Sequence, residues 1–255
     1  MRRRMTLLAG LFVLGSLVGL GSAWAGEGYH ESEKKAEMKK AEMKGDVKDE
    51  TERAETAGRI LKELTSAEDK TIPKELLENA EGIAVIPHVV KGAMGVGGRY
   101  GKGLVSSRME DGSWSPPAYV HLGGASFGVQ IGVQSTDLVL VFMDEKGLEQ
   151  LMEDKIEFGA TASATAGPVG RHVEAGVNIT LDSGIYSYSH SKGLFAGIAL
   201  EGAVLTLDSG ANTDVYGEKV EPENILNGDG VEQAEATKPF RVALSKHIPA
   251  YIEGS

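Results

Sequence analysis

Apolar residues in this chain follow four different spacings. Leu7 to Leu20 carries no charged residue. Ala54, Ala57, Ile60, Leu61 and Leu64 recur at helical spacing, which predicts a helix from Glu50 to about Leu64. Pro73, a favoured first helical position, predicts a second, short helix carrying Leu76, Leu77 and Ala80. From Gly82 the period changes. Ile83-Ala84-Val85-Ile86 reads as a buried strand ended by Pro87. Phe127, Val129, Ile131 and Val133 alternate with Gly128, Gln130, Gly132 and Gln134, a period of two. Leu138 to Met143 is continuously apolar, as in a strand buried on both faces, and Glu145 to Asp154 interrupts the strands as a helix. Gly176 to Leu181, Ile185 to His190 and Leu194 to Leu207 read as further strands. They are separated by Asp182-Ser183-Gly184 and Ser191-Lys192-Gly193, hairpin loops that end in glycine. Val231 to His247 predicts a C-terminal helix.

Glycine sharpens this picture. Of the 30 glycines after Ala25, 23 lie between Gly82 and Gly217. Glycine weakens a strand unless a bulge, a sharp bend or close backbone approach calls for it. The fold class expected is therefore α+β. A Gly-rich, strongly bent antiparallel sheet, rolled into a partial or closed barrel, is flanked by N- and C-terminal helices.

The ends read differently. Arg2, Arg3 and Arg4, the uncharged 14-residue run and Ala23-Trp24-Ala25 form a secretory signal over residues 1–25. That run is short of the roughly 20 residues a spanning helix needs. Residues 26–50, with the repeat KKAEM-KKAEM, read as a charged linker or solvated helix. The expected location is periplasmic or secreted, peripherally associated with a membrane. There is no cysteine, hence neither disulfide nor thiol lipid anchor. Loss of three arginines takes the net charge from −11 to −14, which argues against nucleic acid as a partner. Nothing in the pattern fixes an oligomeric state.

Two motifs are decoys. Gly92 to Gly103 holds six glycines. A Walker loop ending at Gly101-Lys102 would place Val96 at its first glycine and Gly103 where Ser or Thr must hold magnesium. A dinucleotide fingerprint from Gly95 and Gly97 would place Tyr100 at its last glycine. Gly124-Ala125-Ser126-Phe127-Gly128 is a literal G-x-S-x-G, with Asp137 and His172 downstream. It continues into a strand where a nucleophile elbow turns into a helix. The histidines show no metal-binding spacing, and Asp208 to Asp214 lacks the terminal glutamate of a calcium loop and reads as a polar turn. No metal or cofactor is expected.

Charge distribution is more informative. Ile83 to Met109 spans 27 residues without Asp or Glu and holds Lys91, Arg99, Lys102 and Arg108. Two further acid-free stretches hold Arg171 and Lys192. Each Lys or Arg near an anionic bilayer contributes about 1 kcal/mol, while more distant acids are screened. These six residues are the candidate headgroup-binding set, opposed by the reading that they are scattered surface charges. Trp114, Tyr119 and Phe195 are candidate apolar residues for the membrane interface, opposed by core packing.

The segments GIAVIPHVVKGAMGVGGRYGKGLV, WSPPAYVHLGGASFGVQIGVQSTDLVLVFM, AGPVGR and IYSYSHSKGLFAGIALEGAVL, in that order, resemble the SYLF domain family, also called the actin-binding DUF500 family. The resemblance covers Thr51 to Ile252. It implies a non-enzymatic module that binds anionic phospholipid membrane surfaces. Phosphatidylglycerol, cardiolipin, phosphatidic acid or lipopolysaccharide are the headgroups open to an exported bacterial member. Eukaryotic relatives join the domain to SH3 or FYVE modules and touch actin. An exported bacterial chain meets no actin, so that partner is not expected. A structural envelope protein or outer-membrane barrel, and an esterase acting through Ser126, are the competing readings.

Overall fold

The computed structural model describes residues 46–64, 72–94, 96–126, 132–169, 183–191 and 194–248. The proposed signal, most of the 26–50 linker, the expected strand over Gly176 to Leu181, and Arg171, His172 and Lys192 lie outside the described residues.

Helix α1 (residues 46–64) buries the predicted stripe Ala54, Ala57, Ile60, Leu61 and Leu64. It is followed by α2 (Lys74–Glu78) and strands β1 (Gly82–Met94), β2 (Val96–Ser107), β3 (Ala118–Ser126) and β4 (Gly132–Phe142). Next come α3 (Glu145–Glu153), β5 (Lys155–Glu157), β6 (Ala164–Ala166), β7 (Ile185–Ser191), β8 (Leu194–Gly197) and β9 (Ala203–Leu207). Helices α4 (Ser209–Tyr216), α5 (Pro222–Asn227) and α6 (Lys238–His247) complete the described part. The strands form one sheet in the order β5-β9-β3-β2-β1-β4-β7-β6, with β8 paired to β7. It is antiparallel except for β6 on β7. Its strong curl makes a half-barrel: among the described strands, β5 and β6 end the path without meeting.

Period-two alternation sorts the core into two layers. Ile83, Val85, Leu104, Tyr119, Val139 and Val141 join α1, α2 and α6 on the outer face. Ala84, Ile86, Val105, Val120, Leu138, Leu140 and Phe142 face the inner side, with Leu148 and Leu151 of α3 and Ile225 and Leu226 of α5. The run Leu138 to Phe142 thus feeds both layers, which is why it shows no polar alternation.

Three readings need correction. Pro87 does not end β1. The register with β2 and β4 shifts there, so Pro87 and His88 occupy a bulge, where a missing N–H costs no ladder bond. His88 has φ 52°, and its N–H donates to Asp137 Oδ1 at 2.9 Å, which holds this left-handed conformation. Asp208 to Asp214 is not a turn: Asp208 accepts the Ala211 N–H at 3.2 Å and starts α4. The single C-terminal helix begins later than predicted, at Lys238 after a 3-10 turn over Glu235–Thr237, and α5 was not anticipated.

The bulge and glycine bend the sheet together. A Cβ on Gly103 would lie 2.3 Å from Val85 O and 2.7 Å from Ile86 Cα. The two backbones can approach this closely only because position 103 carries no side chain. Gly103 removes the side chain that would hold β1 and β2 flat.

Candidate functional site

Past the bulge, β1 and β2 extend beyond the packed layers. Lys91 of β1 lies directly opposite Arg99 of β2. On their other sides these residues pair with Gln134 of β4 and Gly124 of β3. The sheet thus carries a row Gln134–Lys91–Arg99–Gly124. Directly opposed residues have Cβ atoms roughly 5 Å apart, and like charges there repel. No carboxylate among the described residues is ion-paired with either cation. The buried Arg99 Nε has no hydrogen-bond partner among them. Burial lowers the guanidinium pKa, and Glu201 acts against this at longer range.

These two cations stand over a cleft of about 900 Å³ on the inner face. Val89, Leu122, Leu138 and Leu200 make its apolar part. Gln134, Thr136, Ser189 and Ser191 give it polar groups, and no described lining residue is acidic. Residues 198–202, between β8 and β9, strap the cleft. At one end Ile198 N–H donates to Ser187 O of β7 at 3.2 Å. At the other, Gly202 O lies 2.3 Å from where a Gly124 Cβ would stand. Gly124 has φ +148°, so both its conformation and the strap's approach require glycine.

The other predicted site residues sit elsewhere. Lys102 points to the outer face, where its ammonium meets Asp208 at 2.9 Å. Burial raises the Asp208 carboxyl pKa, but Lys102 and the Ala211 N–H overcome this and hold it below the usual range. Arg108 lies past the opposite end of β2, nine residues or roughly 30 Å from Arg99. It donates through Nε to Ala80 O at 2.7 Å and through Nη2 to Leu77 O at 3.3 Å, capping carbonyls at and just past the C-terminal end of α2. It also stacks 4.3 Å over the Trp114 ring. The six cations therefore do not all converge. The described ones resolve into one open pair and two residues with structural partners.

Trp114, Tyr119 and Phe195 are 5%, 0% and 5% exposed, so they are core residues and do not face a membrane interface. Trp114 Nε1–H donates to Ile248 O at 3.0 Å and ties down the end of the described chain. Tyr119 OH donates to Glu50 O at 3.2 Å in α1. The buried Asn212 side chain accepts the Tyr119 N–H at 2.7 Å and donates to its carbonyl at 3.0 Å, standing in for a missing strand. Burial raises the Tyr119 phenol pKa. Phe195 stacks on His190, ring centroids 4.4 Å apart. Exposed apolar side chains at this end include Val90 and Tyr100, an opposed pair on the outer face, and Leu194 of β8.

Of the residues of the esterase reading, Asp137 alone has a described side chain, and it is engaged elsewhere. Its Oδ1 accepts from His88 N–H, and its Oδ2 is 3.1 Å from His190 Nδ1. His190 Nε2 is 3.1 Å from Glu63 Oε2 in α1, close enough for an ion pair but without hydrogen-bond alignment. This cluster joins α1 to the sheet. Gly124 to Ser126 is strand, and the Ser126 side chain and residues 127–131 lie outside the described part. Among the described residues no group of three or more His, Asp or Glu is placed to hold a metal ion. No described helix is long and apolar enough to cross a membrane.

A second cleft, of about 490 Å³, lies on the outer face beside Tyr100, Val90 and His88. Its cations Arg53 and Lys102 are paired with Glu50 and Asp208. The sequence located all four described cations. Alternation along β2 separates Arg99 from Lys102, and the bulge in β1 puts Lys91 on the face of Arg99.

Residues 123–247 match the family model described as Ysc84, Las17-binding protein actin regulator. An SH3 domain-containing protein of Schizosaccharomyces pombe is 36% identical over 198 residues, covering 74% of this chain and 46% of the relative. The SH3 domain-containing YSC84-like protein 1 of Bos taurus is 31% identical over 207 residues, covering 79% and 60%. Protein YSC84 of Saccharomyces cerevisiae is 36% identical over 163 residues, covering 63% and 35%. The chain thus spans about half the length of the curated relatives it matches. The family model is named for a binding and regulatory protein, as is a Saccharomyces cerevisiae relative called LAS seventeen-binding protein 3. With the half-barrel and its flanking helices, the matches establish that this chain belongs to the Ysc84 family, the family of SYLF domains.

Proposed function

We propose that this protein is a non-enzymatic module that binds anionic phospholipid headgroups through Lys91 and Arg99, at the periplasmic face of a bacterial membrane. One observation carries the reading. Two cations are directly opposed at the mouth of a cleft, without a carboxylate partner among the described residues. Such a pair is repulsive until an anion sits between its members. A phosphate there supplies acceptors for the ammonium and for the guanidinium. At an anionic surface the two cations together contribute about 2 kcal/mol. Arg171 and Lys192 belong to the proposal as further contributors. Export, read from residues 1–25, brings the domain to bacterial lipids rather than to the actin regulators for which the family model is named.

Co-sedimentation tests this. Protein purified from the expressing cell, with the N-terminus that processing leaves, sediments with phosphatidylglycerol vesicles and not with phosphatidylcholine vesicles. Added salt weakens the binding, and Lys91→Met with Arg99→Met abolishes it. Equal sedimentation with both vesicle types overturns the headgroup reading. Mass spectrometry of the purified N-terminus tests cleavage after Ala25.

A further inference from the structure

We infer that the inner cleft takes up one acyl chain, so that the ligand is a single-chain anionic amphiphile bound as an individual molecule, its phosphate on Lys91 and Arg99 and its tail beneath the 198–202 strap. This rests on the headgroup reading above and goes further: a flat membrane surface needs cations but no cavity behind them.

The cleft continues behind the two cations, and its character changes with depth. Lys91 is in register with Gln134, Val89 with Thr136, and Ile86 with Leu138. From the cation row to Leu138 is four residues of β4, roughly 13 Å. Along that path the lining passes from charge, through Gln134 and Thr136, to Val89, Leu122, Leu138 and Leu200. Thr136 Oγ1 donates to His190 O at 2.9 Å and Ser189 Oγ to Ala196 O at 3.2 Å, so these hydroxyls have partners within the protein. Among the described residues that line the cleft, the buried donor without an acceptor is Arg99 Nε, at the mouth. A cleft of about 900 Å³ lies within the size range of small-molecule sites, roughly 300–1,000 Å³. Its polarity follows one amphiphile: anion outside, hydrocarbon inside.

The strap keeps the cleft open. It crosses the inner face from β7 to β3, held by Ser187 O at one end and packed on glycine at the other. Ala199, exposed at its middle, lines the cleft and leaves room that a larger side chain would take.

Titration calorimetry with butyl, octyl, decyl and dodecyl phosphate below their micelle concentrations, and with inorganic phosphate, tests the inference on the purified protein. Affinity is expected to rise about fourfold per methylene until the cleft is full. Arg99→Met is expected to weaken every chain length at least tenfold. Ala199→Trp, a change at an exposed position, is expected to flatten the chain-length series while phosphatidylglycerol vesicles still sediment the protein. Three results overturn the inference. If dodecyl phosphate binds no better than butyl phosphate while vesicles still require Lys91 and Arg99, headgroup binding stands and chain uptake falls. If Ala199→Trp leaves the series steep, the tail lies elsewhere. If neither alkyl phosphates nor anionic vesicles bind, both readings fall.

Discussion

The two faces of the β1–β2 hairpin treat their cations differently. On the outer face Lys102 is paired with Asp208, and past the far end of β2 Arg108 is bound to carbonyls and stacked on Trp114. On the inner face Lys91 and Arg99 oppose one another, with no carboxylate partner among the described residues. All four come from one acid-free segment of sequence. Lack of acid nearby in sequence therefore says little about lack of acid nearby in space. Asp208 reaches Lys102 from α4, more than a hundred residues later.

The largest perturbation of this contrast comes from the bend that separates the faces. Gly103→Val places side-chain atoms on Val85 O and Ile86 Cα, and its expected cost is about 3 kcal/mol or more, read by urea unfolding. Gly123→Ala is the control. Its added Cβ meets nothing within 4 Å, so stability is expected to change by less than about 0.5 kcal/mol. A similar loss at both positions would show that curl is not what Gly103 provides.

Next in size is the exchange of roles between two arginines. Arg108→Met removes charged hydrogen bonds from buried carbonyls and is expected to cost about 1.5–3 kcal/mol with vesicle binding unchanged. Arg99→Met is expected to leave the unfolding midpoint near the parent's and to remove vesicle binding. The opposite pattern would reverse the assignment of structural and binding cations.

Trp114→Phe keeps most of the ring but loses the bond to Ile248 O, with an expected cost of about 1 kcal/mol in urea unfolding. Unchanged stability, together with weaker vesicle binding, would return Trp114 to the membrane interface.

The smallest effect concerns Asp208. Its folded pKa lies below the ordinary value, so the stability it contributes is present above the unfolded pKa of about 3.9. That contribution is lost as pH falls through the depressed folded value. Asp208→Asn is expected to reduce the pH dependence of stability below about pH 4 by less than roughly 1 kcal/mol, because Lys102 is partly exposed. An unchanged acid profile would mean that the Lys102 pair is held without energetic consequence.

Periodicity by itself determined the elements that pack by local pattern. The stripe of α1, the two-sided run Leu138 to Phe142, and helix α3 with its Asp144 cap follow from residues within a few positions of each other. The abundance of glycine announced a bent sheet. Sequence could not say that Pro87 and His88 would form a bulge inside a strand, since a proline ends a strand or kinks it according to its neighbours on both sides. Nor could it say that Trp114 and Tyr119 have buried carbonyl partners in Ile248 and Glu50. Only the tertiary structure decided which cations remain open. The reason is physical. Whether a cation is free depends on carboxylates and carbonyls within a few ångströms, and chain folding brings those from anywhere in the sequence.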